Sequence, residues 1–200
     1  MRILVATMNK GKLREYERLL ANVPGLELET MASLPGPVDV VEDRDTFVGN
    51  ALKKATEIAA TSGITCLADD SGLEVDALGG QPGVYSARYA GEGATDAENN
   101  AKLLDELIAT ADEARTARFR CAIVLVDGAG REIATVEGRC EGRIGRASKG
   151  AHGFGYDPLF IPDGYHETMA ELGPETKNAI SHRAHAAAKL VPLLRELQNA

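Results

Sequence analysis

The sequence predicts an α/β protein built on a mixed β-sheet with helices on its faces. Three observations carry that expectation. The chain opens strand–loop–helix–strand, the unit from which parallel sheets are assembled. Its middle alternates apolar and polar residues around a glycine-rich turn, as an antiparallel hairpin does. Two hundred residues, 44% of them hydrophobic, are enough to bury a substantial core as one domain over residues 1–200, with or without a subdomain.

The elements follow in order. Ile3 to Ala6 reads as a buried strand and Thr7 to Gly11 as a loop. Leu13, Tyr16, Leu19 and Leu20 recur at helical spacing, which predicts a helix from Lys12 to about Ala21. Leu26 to Thr30 reads as a second strand. A loop rich in proline and acidic residues follows, with Pro35, Pro37, Glu42, Asp43 and Asp45. Asp45 or Thr46 caps the next helix; Phe47, Ala51, Ala55, Ile58 and Ala59 form its apolar face, and Gly63 ends it. Ile64 to Ala68 reads as a strand ending at Asp69, and Leu73 to Leu78 as another short strand before the turn at Gly79 to Gly83. Thr95 to Glu98 spells a capping box, opening a helix whose expected core face is Ala101, Leu104, Leu107 and Ile108. In Ala117 to Val126, Arg118 and Arg120 point one way and Phe119, Cys121 and Ile123 the other. Asp127 to Gly130 closes a hairpin and Glu132 to Arg139 returns. Leu159 to Ile161 is a short strand. A last helix runs from about Ser181 to Leu197, and Pro192 either kinks it or begins a new turn. This mixture of elements predicts two lobes with a ligand in the cleft between them.

The net charge is −8, from 22 Lys and Arg against 30 Asp and Glu. That balance disfavours a polynucleotide partner, which needs a basic face, but a single nucleotide needs only a local cluster of cations. Cys66, Cys121 and Cys140 are odd in number and form no Cys-x-x-Cys, so free buried thiols are expected. The apolar run Ile3 to Ala6 is too short for a signal peptide, and Lys10, Lys12 and Arg14 follow closely. No apolar stretch approaches the roughly 20 residues of a membrane span. A soluble, cytoplasmic protein with no membrane or nucleic-acid partner is expected.

Five segments carry candidate chemistry. Asp69-Asp70-Ser71-Gly72, read as the end of a strand, sets two carboxylates beside a hydroxyl, a donor set suited to a hard cation such as Mg²⁺; the ordinary alternative is a solvated turn. A bound Mg²⁺ would suit a phosphate ester. Thr7-Met8-Asn9-Lys10-Gly11-Lys12 offers backbone N–H groups, a hydroxyl and two lysines at a helix start, an anion site without Walker A spacing. Asn50 and Lys54 stand four apart on one helix face, where Lys54 either reaches toward phosphates or is solvated. In Gly153-Phe154-Gly155-Tyr156-Asp157-Pro158, glycines flank an aromatic; Phe154 or Tyr156 stacks on a nucleobase, unless both are core residues. Lys177 with Ser181-His182-Arg183 is a set of donors able to recognise a carbonyl acceptor.

Taken in order, T-x-N-x-x-K, N-A-x-x-K-A, A-D-D-S-G-L, G-G-x-P-G-x-Y-S-A-R-Y, G-F-G-Y-D-P and S-H-R span Thr7 to Arg183. Together they make the chain resemble the inosine/xanthosine triphosphate pyrophosphatases, which remove aberrant purine nucleotides from the nucleotide pool. The resemblance implies an elongated mixed sheet with flanking helices, two lobes around a central nucleotide-binding cleft, and a homodimer. It also implies Mg²⁺-dependent cleavage of XTP, ITP and dITP to the monophosphate and pyrophosphate. By position, it implies that Thr7, Met8, Asn9, Lys10, Gly11 and Lys12 hold the triphosphate, with Lys54 beside them. Asp70 becomes the catalytic carboxylate and metal ligand, and Ser71 a substrate contact. Phe154, Gly155, Tyr156, Asp157, Lys177, His182 and Arg183 become the nucleoside pocket. Two residues depart from the family pattern: Met8 stands where glycine is common, and Gly49 where many members have Glu. The second departure leaves the other metal carboxylate open, with Glu42 preferred over Asp69 and Glu74. A non-catalytic nucleotide sensor and a pyrophosphatase acting on other modified nucleotides are the competing classes.

Overall fold

The computed structural model describes residues 1–34, 36, 38 and 40–199; Pro35 and Pro37 of the expected proline-rich loop lie outside them. The described elements are β1 (Arg2–Val5), α1 (Lys10–Leu19), β2 (Glu27–Thr30), α2 (Phe47–Ser62), β3 (Cys66–Val75), α3 (Asp96–Glu106), β4 (Thr116–Val126), β5 (Glu132–Ile144), β6 (Phe160–Pro162), α4 (Met169–Ile180) and α5 (His182–Asn199), with short 3₁₀ turns between some of them. They form one six-stranded sheet in the order β2-β1-β3-β4-β5-β6. β1 runs parallel to both β2 and β3, whereas β6 runs antiparallel to β5, so the sheet is mixed as expected.

The chain divides into two compact units. The first comprises Met1–Asp70, Cys121–Gly138 and Arg183–Ala200; the second comprises Ser71–Arg120 and Arg139–His182. Within the first unit, strand alternation sorts the side chains onto two faces. Ile3, Val5 and Leu67 join Tyr16 and Leu20 of α1 and Ala187 and Leu190 of α5 in one core cluster. Leu4, Cys66 and Ala68 join Ala51, Ala55 and Ile58 of α2 in another. The second unit has its own core, in which Leu73 and Val75 pack with Leu103, Phe119, Tyr156 and Phe160.

Helix ends follow the expected chemistry. Thr46 caps α2 by accepting from the Gly49 N–H at 3.0 Å, and Gly63 closes it in a left-handed conformation. Thr95 and Glu98 form the capping box of α3. All three cysteines are free and buried.

Three expectations are corrected. Asp69-Asp70-Ser71-Gly72 is no turn at a strand's end: β3 runs unbroken from Cys66 to Val75 and takes in Leu73 to Val75 of the expected second strand, and only Asp76–Leu78 forms a 3₁₀ turn. The inward face of α3 carries Asn99, Asn100 and Leu103, with Leu107 as its cap, while Ile108 is 76% exposed. The two asparagines sit inside because each bonds backbone there: Asn99 to Ala87 O and Ala90 N, Asn100 to Gly155 O. α4 was not expected, since Gly173 (φ 79°) and Pro174 break its helical pattern. The last helix continues through Pro192 as a single element.

Candidate active site

β3 presents Asp69 and Asp70 to opposite faces, because consecutive side chains on a strand alternate. Asp69 extends the Leu67 face. Its carboxylate meets Lys12 Nζ at 3.2 Å, accepts from Arg183 at 3.0 and 3.3 Å, and is 2% exposed. Burial would raise this carboxyl, but the Lys12, Arg183 and Lys54 cations outweigh it and hold the group well below the usual carboxylate range. Arg183 is wholly buried and also donates to Glu15 of α1.

Asp70 extends the Cys66 and Ala68 face, toward α2. Asn50 Nδ2 donates to its Oδ2 at 2.9 Å. Burial first, and the Glu42 carboxylate second, push Asp70 up to about 6 from an ordinary 3.8. The loop carrying Glu42 is fixed by three side chains of α2. Lys54 pairs with Glu42 itself. Lys53 donates to Val41 O and to Asp43 Oδ1, both at 2.8 Å. Asn50 Oδ1 accepts from the Arg44 N–H at 2.9 Å. Two neighbouring acids thus have opposite states. Asp69 is a fixed anion among cations, and Asp70 holds its proton to near-neutral pH beside a second carboxylate.

The Thr7–Lys12 segment closes β1 onto α1. Asn9 caps the helix, its Oδ1 accepting from Gly11 N at 2.8 Å and Lys12 N at 3.1 Å, so those two amides are already engaged. Thr7 Oγ1 accepts from the Asn9 N–H at 3.1 Å. Met8 and Lys10 are exposed, whereas Lys12 turns inward to Asp69. At Gly49 a Cβ would lie 2.9 Å from Thr46 Oγ1 and 3.0 Å from Arg44 Cβ, so glycine suits the tight cap at this helix start.

The second unit gathers another group. Asp157 is 2% exposed, and its Oδ2 accepts from Lys177 Nζ at 2.5 Å and from the Phe154 N–H at 2.9 Å. Lys177 Nζ also lies 4.4 Å from the centre of the Phe154 ring. Gly153 is obligatory here: φ is +82°, and a Cβ would come within 2.0 Å of Asp157 Oδ2. Asp96 and Asn100 of α3 tie down Gly155 through its N–H (2.7 Å) and carbonyl (2.9 Å). Tyr156 is a core residue whose hydroxyl donates to Ser86 O at 2.8 Å. His182 stacks on Phe119 with ring centres 4.8 Å apart. Ser71 is half-buried on β3, and Glu74 faces Arg120 at 3.6 Å.

The sequence-predicted residues therefore assemble as two groups. Lys12, Glu42, Lys54, Asp70 and Arg183 stand in the first unit; Phe154, Gly155, Asp157 and Lys177 stand in the second. Glu15, Asp96 and Asn100 were missed. Glu15 and Asn100 are polar residues at inward helical positions, which pattern reading assigns to the surface; Asp96 is exposed in the first turn of α3, where it reads only as part of the capping sequence.

Opposed carboxylates ringed by lysines and arginine, on a mixed α/β scaffold, define a class of phosphate-handling enzyme. Comparison with known proteins narrows it: the Ham1 family profile matches residues 3–193, and the chain belongs to that family. A dITP/XTP pyrophosphatase of Desulforamulus reducens is 51% identical over 197 residues, covering 98% of this chain and 97% of its own. One from Geobacter sulfurreducens is 52% identical over 189 residues, covering 94% of each. The solved structure of a HAM1 protein from Coxiella burnetii superposes with a TM-score of 0.88 at 41% identity, covering 98% and 99% of the two chains.

Proposed function

We infer that this protein is a nucleoside triphosphate pyrophosphatase that hydrolyses aberrant purine nucleotides (XTP, ITP and dITP) to the monophosphate and pyrophosphate. The observation that carries the reading is the pairing of Asp70 with Glu42 beside Lys54, on the neighbouring residue to a cation-saturated Asp69. Relatives about half identical along nearly the whole chain are named dITP/XTP pyrophosphatases.

Asp70 is proposed to take the proton from the attacking water. A carboxylate whose pKa lies near 6 ionises at neutral pH yet remains basic enough for that transfer. Lys12, Lys54 and the Thr7–Gly11 loop would hold the triphosphate. Mg²⁺ is the proposed cofactor, with Asp70 and Glu42 as its protein ligands. Among the described residues no cluster of three His, Cys, Asp or Glu side chains exists. Two carboxylates, with water and phosphate oxygens completing the shell, suit this ion. When bound, it would neutralise phosphate charge at the reacting centre. Asp69 is the weaker candidate ligand, because Lys12 and Arg183 already occupy it.

Phe154 is proposed to stack on the base, and Lys177 and His182 to donate toward its C6 carbonyl; Arg183, wholly buried, is proposed to hold Asp69 and Glu15 instead. Adenine has an amino group at C6, and unpaired buried donors discriminate by a factor on the order of 10⁴. A cytoplasmic homodimer is proposed on the resemblance of the motifs. Among the described residues, no helix is long and apolar enough to cross a membrane.

A pyrophosphate-release assay with XTP, ITP, dITP and ATP in Mg²⁺ tests the reading. Rapid pyrophosphate release from the first three and slow release from ATP is the expected result. Orthophosphate as the product, or binding without turnover, would sink it.

A further inference from the structure

We propose that Asn50 is a positioning residue that sets the spacing between Glu42 and Asp70; the proposal rests on the assignment of those two carboxylates to a divalent cation. Asn50 stands in the first turn of α2 and is 1% exposed. One end of its amide holds the acidic loop: Oδ1 accepts from the Arg44 N–H at 2.9 Å, two residues beyond Glu42. The other end holds the strand: Nδ2 donates to Asp70 Oδ2 at 2.9 Å. An amide carries an acceptor and a donor on one carbon, and among short side chains only Asn does so. A carboxylate at this position would turn an anion toward Asp70, and an aliphatic residue would strand the Arg44 N–H. Lys53 and Lys54 also grip the loop, but as donors only, and neither makes a hydrogen bond to Asp70. Asn50 therefore ties the backbone of the Glu42 loop, through the Arg44 N–H, to the carboxylate of Asp70. By binding one oxygen of Asp70 it also sets the rotation of that carboxylate.

The role separates from simple stabilisation by direct Mn²⁺ titration of metal-free protein, without nucleotide, following the free-ion EPR signal. Melting midpoints and ITP kinetics accompany it for the wild type, Asn50→Ala, Thr46→Ala and Asp70→Asn. Loss of Mn²⁺ binding in Asp70→Asn checks the underlying assignment by itself. Asn50→Ala should weaken Mn²⁺ binding about 10-fold and lower kcat for ITP by a similar factor, while KM for ITP changes less than about 3-fold. Thr46→Ala removes the cap at the same helix end. It should lower the melting midpoint and leave Mn²⁺ affinity at the wild-type level. If Asn50→Ala does not fold, Asn50→Ser carries the comparison. Wild-type Mn²⁺ affinity in the Asn50 variant, or an equal loss in Thr46→Ala, overturns the positioning role while the Asp70 assignment stands. Undiminished Mn²⁺ binding in Asp70→Asn, or none in the wild type, overturns the metal assignment and this proposal with it.

Discussion

At the residue scale, substituting Asp70 by Asn keeps the shape of the side chain and its bond-accepting oxygen but removes the charge and the basic site. Turnover should fall by about 10²–10⁴-fold, with ITP still bound. Stopped turnover and retained binding in parallel kinetic and equilibrium measurements would confirm the split; near-normal turnover would shift the role to Asp69. The pH dependence follows from the same group. Its carboxyl is raised from 3.8 to about 6 by burial and then by Glu42, so the folded protein holds a proton that the unfolded chain has released. The contribution of Asp70 to stability therefore declines as pH rises between about 4 and 6, and kcat/KM at low Mg²⁺ rises through pH 6. Glu42→Gln should move that acidic limb to lower pH. A limb that stays put would show that Glu42 does not act on Asp70. Arg183 is a different case. It is 0% exposed and bridges Asp69 and Glu15, so Arg183→Ala leaves two buried carboxylates short of a cation. Such a loss costs about 3–5 kcal/mol, readable as a lower denaturant midpoint.

At the scale of elements, β3 explains the main misreading. Asp, Ser and Gly favour turns when nothing else constrains them. Here Leu67 and Ala68 precede them and Leu73 and Val75 follow, all buried, and the flanking core holds the strand extended through the polar stretch. Local preference yields to the packing on either side. The α3 face was misread for a related reason: Asn99 and Asn100 are inward because backbone groups elsewhere need them, and sequence periodicity records hydrophobicity rather than such demands. The Gly153–Asp157 segment was legible as glycine-rich, yet its purpose was not. Gly153→Ala should force Asp157 away from Lys177 and the Phe154 N–H, raising KM for ITP several-fold or more while leaving Mn²⁺ affinity unchanged. An unchanged KM would remove that segment from substrate binding.

For the whole molecule, the sequence disclosed the strand–helix opening, the α2 cap as Asp45 or Thr46, the α3 capping box and the hairpin after Val126, because each depends on residues within a few positions of one another. The family followed from six ordered motifs. What stayed hidden were pairings distant in the chain. Arg183 meets Asp69 across 114 positions and Glu15 across 168, and no local pattern encodes either. Asn50 and Asp70, 20 positions apart, were both visible as polar residues, but the bond joining them was not.

The opposite facing of Asp69 and Asp70 has a consequence in genetic terms. Removing one codon from β3 upstream of the pair, at Leu67 or Ala68, shifts the strand by one residue and turns every later side chain to the other face. The two acids would exchange faces: Asp70 would enter the place of Asp69, Asp69 that of Ala68, and Ser71 would stand where Asp70 belongs. A comprehensive scan should therefore show single-codon deletions there to be as damaging as loss of Asp70 itself, even at positions where substitution to another small apolar residue is tolerated. Deletions in the exposed turn near Gly91 to Ala94, before α3, should instead be graded and mild, because no ladder of alternating faces passes through it.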